Sequence, residues 1–218
     1  MGDLIRLADR RAIRRTRNTH GRVRSRVEFL FDLCCPFSYL AAERVERAFD
    51  DVAWTPACTA TLTCGAAASD RVGLEAQRRA AEQRASELRL PLVWPERHPA
   101  PVPAAMRAAS YASEHGRGAA FVLAAGRLAF CGGFDLDDPE ILAEAAAAAG
   151  IGMDGCLRAV GEIARDVVIE EAGRQLLSAG ADRLPALRVG RSLFWGENRV
   201  AEAAAAARHQ AALLAANV

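Results

Sequence analysis

The sequence predicts an α/β protein, and three observations predict it. Residues 27–33 form a short run rich in aromatic and branched side chains; an amphipathic stretch at 37–49 and a second apolar run at 52–55 follow, which reads as strand–helix–strand. From about residue 70 to 180 the patterning is helical. After that, Ala186–Val189 and Ser192–Trp195 flank Gly190-Arg191, the pattern of a hairpin with a two-residue turn, and 199–216 reads as a closing helix.

Each element has a local reason. Pro36 suits the first position of the first helix, where a missing N–H costs nothing. Tyr39, Leu40, Val45 and Phe49 make that helix's apolar face. Pro56 is expected to stop the second strand. In the middle block, helix 71–88 ends before Pro91, and the five prolines of 90–103 predict a loop. Helices are expected at 104–115 and 118–130. Asp138-Pro139-Glu140 marks another start, with Asp as N-cap and Pro at N1, and Gly150 marks its end. Residues 154–160 and 164–179 complete the block.

Composition narrows the class. The chain has 218 residues, 51% apolar and 25% charged, the balance of a globular protein rather than a disordered one. No run approaches 18 apolar residues, so a membrane-spanning helix is not expected. The N-terminus shows no apolar signal segment, and the expected compartment is the cytoplasm. All 28 basic residues are arginine, and alanine is abundant; codon usage in a GC-rich genome is the simplest account. Charge is segregated. Residues 1–26 carry nine Arg and two Asp, whereas the remainder carries 19 Arg against 25 acidic residues. An acidic body with a basic arm is expected, the arm being either a solvated leader or a dock for an acidic partner such as nucleic acid or an acyl carrier protein.

The six cysteines, at 34, 35, 58, 64, 131 and 156, contain no C-x-x-C, and the four histidines are scattered, so no metal site is expected. Free thiols are the expectation for a reducing compartment. Cys58, Cys64, Cys131 and Cys156 read as small apolar fillers. Cys35 differs by position. It lies directly after a strand and at the mouth of a helix, where free N–H groups and the helix dipole favour a thiolate; a buried, inert thiol is the other reading. Cys34 is expected to point the other way, as core or bystander. Ser38, one turn on from Cys35, is placed to donate a hydrogen bond to the sulfur. The resulting C-x-x-S arrangement lacks the second thiol of dithiol exchange.

The segment Asp32-Leu33-Cys34-Cys35-Pro36-Phe37-Ser38-Tyr39-Leu40-Ala41 resembles the active-site segment of the 2-hydroxychromene-2-carboxylate isomerases and kappa-class glutathione transferases, within the DsbA-like group. Leu184-Pro185-Ala186, and Phe194-Trp195-Gly196-Glu197-Asn198-Arg199, are similar to the family's cis-proline and its Phe-Trp-Gly-x-Asp-Arg motif, and Leu90–Pro95 is similar to its middle region. The resemblance implies a thioredoxin-like fold built from 27–65 and 181–218, with an inserted all-helical domain at 66–180 and the arm 1–26 outside. It implies a cis Pro185 facing Cys35, and a homodimer. This chain departs from the family twice: Cys35 stands where the family carries a serine, and Asn198 where it carries the aspartate that holds glutathione. Both departures point to one expectation, a cis–trans isomerase of a conjugated unsaturated carbonyl compound, free or carrier-bound, in which Cys35 replaces the glutathione thiol. Cys35 and Ser38 are the expected catalytic residues. Pro36, Phe37, Trp94, Leu184, Pro185, Trp195, Asn198 and Arg199 are the expected substrate-binding residues. A DsbA-type oxidoreductase, a glutathione-dependent isomerase or transferase, and a non-catalytic binding protein remain the alternatives.

Overall fold

The computed structural model describes residues 27–62 and 71–216. The basic arm 1–26, Cys64 and the expected domain boundary at 65–66 lie outside the described residues.

Strand β1 (Val27–Phe31) leads through a tight turn into α1 (Pro36–Ala48) and then β2 (Ala53–Pro56). Pro56 belongs to β2 instead of stopping it. This is possible because β2 is an edge strand, where a missing N–H breaks no inner ladder. A single turn of helix not foreseen from the sequence, α2 (Thr59–Leu62), follows. The helical block comprises α3 (Arg71–Leu88), α4 (Pro103–Glu114), α5 (Gly118–Phe130), α6 (Pro139–Ala149), α7 (Met153–Gly161) and α8 (Ala164–Ser178). The chain closes with β3 (Ala186–Val189), β4 (Ser192–Trp195), a 3-10 turn (Glu197–Arg199) and α9 (Val200–Ala216).

The sheet order is β2-β1-β3-β4, with β1 parallel to β2 and antiparallel to β3, and β3 antiparallel to β4. Gly190 has φ +58 in the β3–β4 turn, the positive value that a two-residue hairpin needs at its first position. At α6, the Asp138 carboxylate accepts from the Glu140 N–H at 2.8 Å, Pro139 occupies N1, and Gly150 closes the helix left-handed, as expected.

Alternation along β1 divides the core. Val27, Phe29 and Phe31 face the larger cluster, which includes α1, Trp54, α4, α5 and the start of α9. Leu30 faces a smaller one with Ala57, Leu62, Leu176, Leu184 and Ala186, under α2 and α8. The larger cluster runs without a break from the sheet into the helical block. Ion pairs of two buried carboxylates clamp the same junction. Glu197, 4% exposed, pairs with Arg44 of α1 and Arg84 of α3, and Glu43 of α1 pairs with Arg127 of α5. No described helix is long and apolar enough to cross a membrane.

Gly173 of α8 is where that helix meets α2. A Cβ there would sit 1.8 Å from Thr61 Oγ1 and 2.9 Å from the Cys58 carbonyl oxygen. Gly173→Ala is therefore expected to cost about 1–3 kcal/mol by forcing the two helices apart. Urea denaturation of the variant against the parent measures it.

Candidate active site

The turn between β1 and α1 is built around Asp32, which is 5% exposed. Its Oδ1 accepts from the Cys34 N–H at 3.0 Å and its Oδ2 from the Thr59 N–H at 2.8 Å. Its carbonyl accepts from the Cys35 N–H at 3.1 Å, and its own N–H donates to Ser38 Oγ at 3.2 Å. Leu33 N–H donates to Met106 Sδ at 3.3 Å, tying the turn to α4. Sequence reasoning missed Asp32. Its signal was a lone acidic residue ending an apolar strand, where burial demands partners.

Cys35 is the N-cap of α1, with Pro36 at N1, as expected. Its Sγ lies 3.7 Å from the carbonyl oxygen of Leu184, to which the thiol donates, and the Leu184–Pro185 bond is cis. Cys35, Ser38, Pro36, Leu184 and Pro185 are thus brought together, all of them buried. Phe37 is half-buried against the larger core, and Trp195 is half-buried against the cluster that holds Leu184. Trp94 is engaged by other side chains: Arg78 sits over its ring at 4.7 Å, the His98 ring lies tilted against it at 4.7 Å, and its indole donates to Glu82 at 2.8 Å. Asn198 and Arg199 are exposed, and Arg199 pairs with Glu202.

The expectation of a resting thiolate is overturned. Burial pushes the Cys35 thiol up to about 11, and the Asp32 charge adds to the rise. The Ser38 N–H, the Ser38 hydroxyl and the Phe37 N–H pull the other way and lose. Desolvation outweighs the donors of the helix start because the side chain is only 7% exposed. Cys34 is also held protonated, by burial and then by Asp32. Nor is it a core filler. It is half-buried and lines a small cleft of about 20 Å³ with Leu33, Pro95, Arg97, His98 and Leu136. The loop that carries Trp94 therefore reaches the turn through Pro95 and His98. All five described cysteines are free. Among the described residues, no group of three His, Cys, Asp or Glu side chains is placed to hold a metal.

A four-stranded sheet, a cysteine capping the first helix and a cis-proline opposite it define a thioredoxin-fold protein. The chain belongs to the DSBA-like thioredoxin domain family, whose sequence model matches residues 26–207. Among solved structures it is similar to a 2-hydroxychromene-2-carboxylate isomerase, with TM-score 0.73 and 18% identity over 88% of this chain and 98% of that one. It is also similar to a probable DsbA oxidoreductase from Streptomyces coelicolor, with TM-score 0.62 and 19% identity over 84% of this chain and 88% of that one. At such identities the likeness is one of fold. No curated protein matches the chain.

Two outcomes follow from the ionisation states. With a thiol titrating at about 11, the rate of Cys35 carbamidomethylation rises about tenfold per pH unit above neutrality. A rate already level at pH 7, read by peptide mass spectrometry, contradicts this. His98 is lowered to about 4, first by burial and then by the Arg78 cation. The unfolded chain takes up that proton near pH 6.5, so the stability His98 contributes is complete above 6.5 and is lost as pH falls through 4. Thermal melts across that window should show His98→Gln to be less acid-sensitive than the parent.

Proposed function

We propose that this protein is a cis–trans isomerase of a conjugated, unsaturated carbonyl compound, with Cys35 supplying the adding thiol. One observation carries the reading: a single sulfur caps α1 beside three donors that favour its charge, and faces the Leu184–Pro185 ledge. The fold likeness to a 2-hydroxychromene-2-carboxylate isomerase supports it.

The step balances without an oxidant. The Cys35 proton passes to water, and the sulfur forms a bond to the β-carbon of the substrate. The double-bond electrons move onto the carbonyl oxygen as an enolate. The former double bond, now single, rotates; the electrons return, the C–S bond breaks, and the thiol regains a proton. Ser38 serves the thiolate that exists before the C–S bond forms and again after it breaks. Its oxygen accepts from the Asp32 N–H, which leaves its hydrogen for the sulfur. Phe37 and Trp195 offer apolar surface to a flat substrate. The high resting pKa makes the thiolate a rare species at neutral pH, roughly one molecule in ten thousand. Turnover in this reading therefore rises with pH.

Glutathione, which the family resemblance implies, does not fit these residues. Asn198 is an exposed amide where the family carries a carboxylate. Glu197, next to it, is turned inward between Arg44 and Arg84. Leu184 and Pro185 are buried, and the Leu184 carbonyl accepts from the protein's own thiol. No step of the reaction runs through glutathione. A dithiol oxidoreductase is the weaker reading, because Ser38 holds the place of a resolving thiol.

Cys35→Ser is expected to reduce E/Z interconversion of an aryl-substituted enone acid to background in glutathione-free buffer, while Cys34→Ser keeps it. Full activity in Cys35→Ser removes Cys35 from the mechanism. Turnover of a dithiol substrate coupled to glutathione disulfide favours the oxidoreductase.

A further inference from the structure

The two faces of the sheet are covered unequally. Helices α1, α4, α5 and α9 pack on the side of Phe29 and Phe31, whereas among the described residues the side of Leu30 carries α8 and the single turn of α2. Between that second face and α8 runs an open groove of about 320 Å³. Its floor is Leu30 with Glu28, Thr55 and Arg188, and its wall is Val167, Val168 and Ala172. The polar floor residues satisfy one another: Glu28 accepts from Thr55 Oγ1 at 2.7 Å and pairs with Arg188. What the groove offers an occupant is therefore mainly apolar. Val167 and Val168 are 63% and 66% exposed, an uncovered pair in the first turns of α8. Glu171, at the edge, and its neighbour Glu170 share one cation, Arg174, which leaves that edge negative.

The chain's own arm suits this place by attachment, length and pattern. It joins the body at Val27, and the next residue, Glu28, already lies on the groove floor. Drawn as a helix, residues 3–17 put Leu4, Ile5, Ala8 and Ala12 on one side and Arg6, Arg10, Arg14 and Arg17 on the other. That helix would be about 22 Å long, a match for α8 with its 15 residues. Residues 18–26 can span up to about 30 Å, enough to turn the arm back over the sheet. Tethering at Val27 raises the arm's local concentration to about the millimolar range, an advantage no partner from solution shares. We infer that the groove between the open sheet face and α8 is the docking site of the basic arm, with the apolar side of residues 3–17 laid on Val167 and Val168 and arginine set against the Glu170–Glu171 edge. The inference does not depend on the chemistry of Cys35.

The experiment puts the photo-cross-linker benzoylphenylalanine in place of Val168 in the full-length chain. The dilute protein is irradiated and cleaved after glutamate, which releases residues 1–28 in one piece for mass spectrometry. The expected product is a link from 168 to residues 3–17 within one monomer, with a yield unchanged by dilution. In Ile5→Asp, which loses the burial of one isoleucine, that yield should fall about tenfold. A link confined to residues 18–26 reports the tether alone and overturns the inference, as does a yield that Ile5→Asp leaves unchanged. A link that forms between two copies and grows with concentration assigns the groove to a second chain instead. No link to the arm, the result if the arm is held for nucleic acid or a membrane surface, overturns the inference too. Should the substitution at 168 unfold the chain, the methyl-labelled parent protein decides: a nuclear Overhauser contact between the Ile5 and Val168 methyls is expected, and its absence overturns the docking.

Discussion

At Cys35 Sγ two physical effects oppose each other. The start of α1 offers N–H groups from Phe37 and Ser38 and a hydroxyl from Ser38, all favouring negative charge. The sulfur is also almost wholly removed from water, and a buried carboxylate lies beside it. Donors at a helix start are worth a limited amount, while stripping water from an ion costs more. The balance falls on the side of the neutral thiol. The rest of the neighbourhood suits that outcome: the thiol donates to the Leu184 carbonyl, and the Asp32 carboxylate accepts from the Cys34 and Thr59 N–H groups.

Much of the architecture was legible because it rests on local chemistry. Pro36 and Pro139 at N1, Asp138 as N-cap, Gly150 closing a helix left-handed and Gly190 in a two-residue turn are each dictated by backbone geometry within a few residues. What escaped depends on contacts distant in the chain. Pro56 is tolerated in β2 only because that strand lies at the sheet edge, a fact about topology. The single turn of α2 is held partly through Thr59, whose N–H donates to a carboxylate 27 positions earlier. Arg78, Glu82 and His98 all meet at Trp94, and nothing in a linear sequence shows three side chains converging. At the site, the placing of Cys35 and Ser38 was readable from their spacing, and that of Pro185 from the family resemblance. The charge state of Cys35 was not, because solvent exclusion is a property of the finished fold.

The neighbouring pair Glu197 and Asn198 shows how one position changes what a carboxylate does. The family's motif places the acid at 198, which here is exposed at the head of α9. This chain carries an amide there and an acid one residue earlier, on the inward side of the 3-10 turn. Burial of Glu197 requires compensation, and Arg44 and Arg84 supply it from two helices on either side. The carboxylate thereby joins the closing segment to α1 and to the first helix of the inserted block. A group doing that cannot also reach outward to bind an ammonium.

The serine at 38 bears on the chemistry in a similar way. A thiol at that position would make a dithiol pair with Cys35 and expose the site to oxidation. A hydroxyl cannot be oxidised to a disulfide, yet it accepts from the Asp32 N–H and still has a hydrogen to give. Its two contacts point in fixed directions, towards the backbone of the turn after β1 and towards the sulfur. Charge that develops on Cys35 when its proton leaves therefore meets a donor already in place, with no reorganisation needed. A site arranged in this way favours chemistry in which the sulfur is charged only transiently. Reversible addition to an electrophilic double bond has that character, and storage of a stable thiolate or of a disulfide does not.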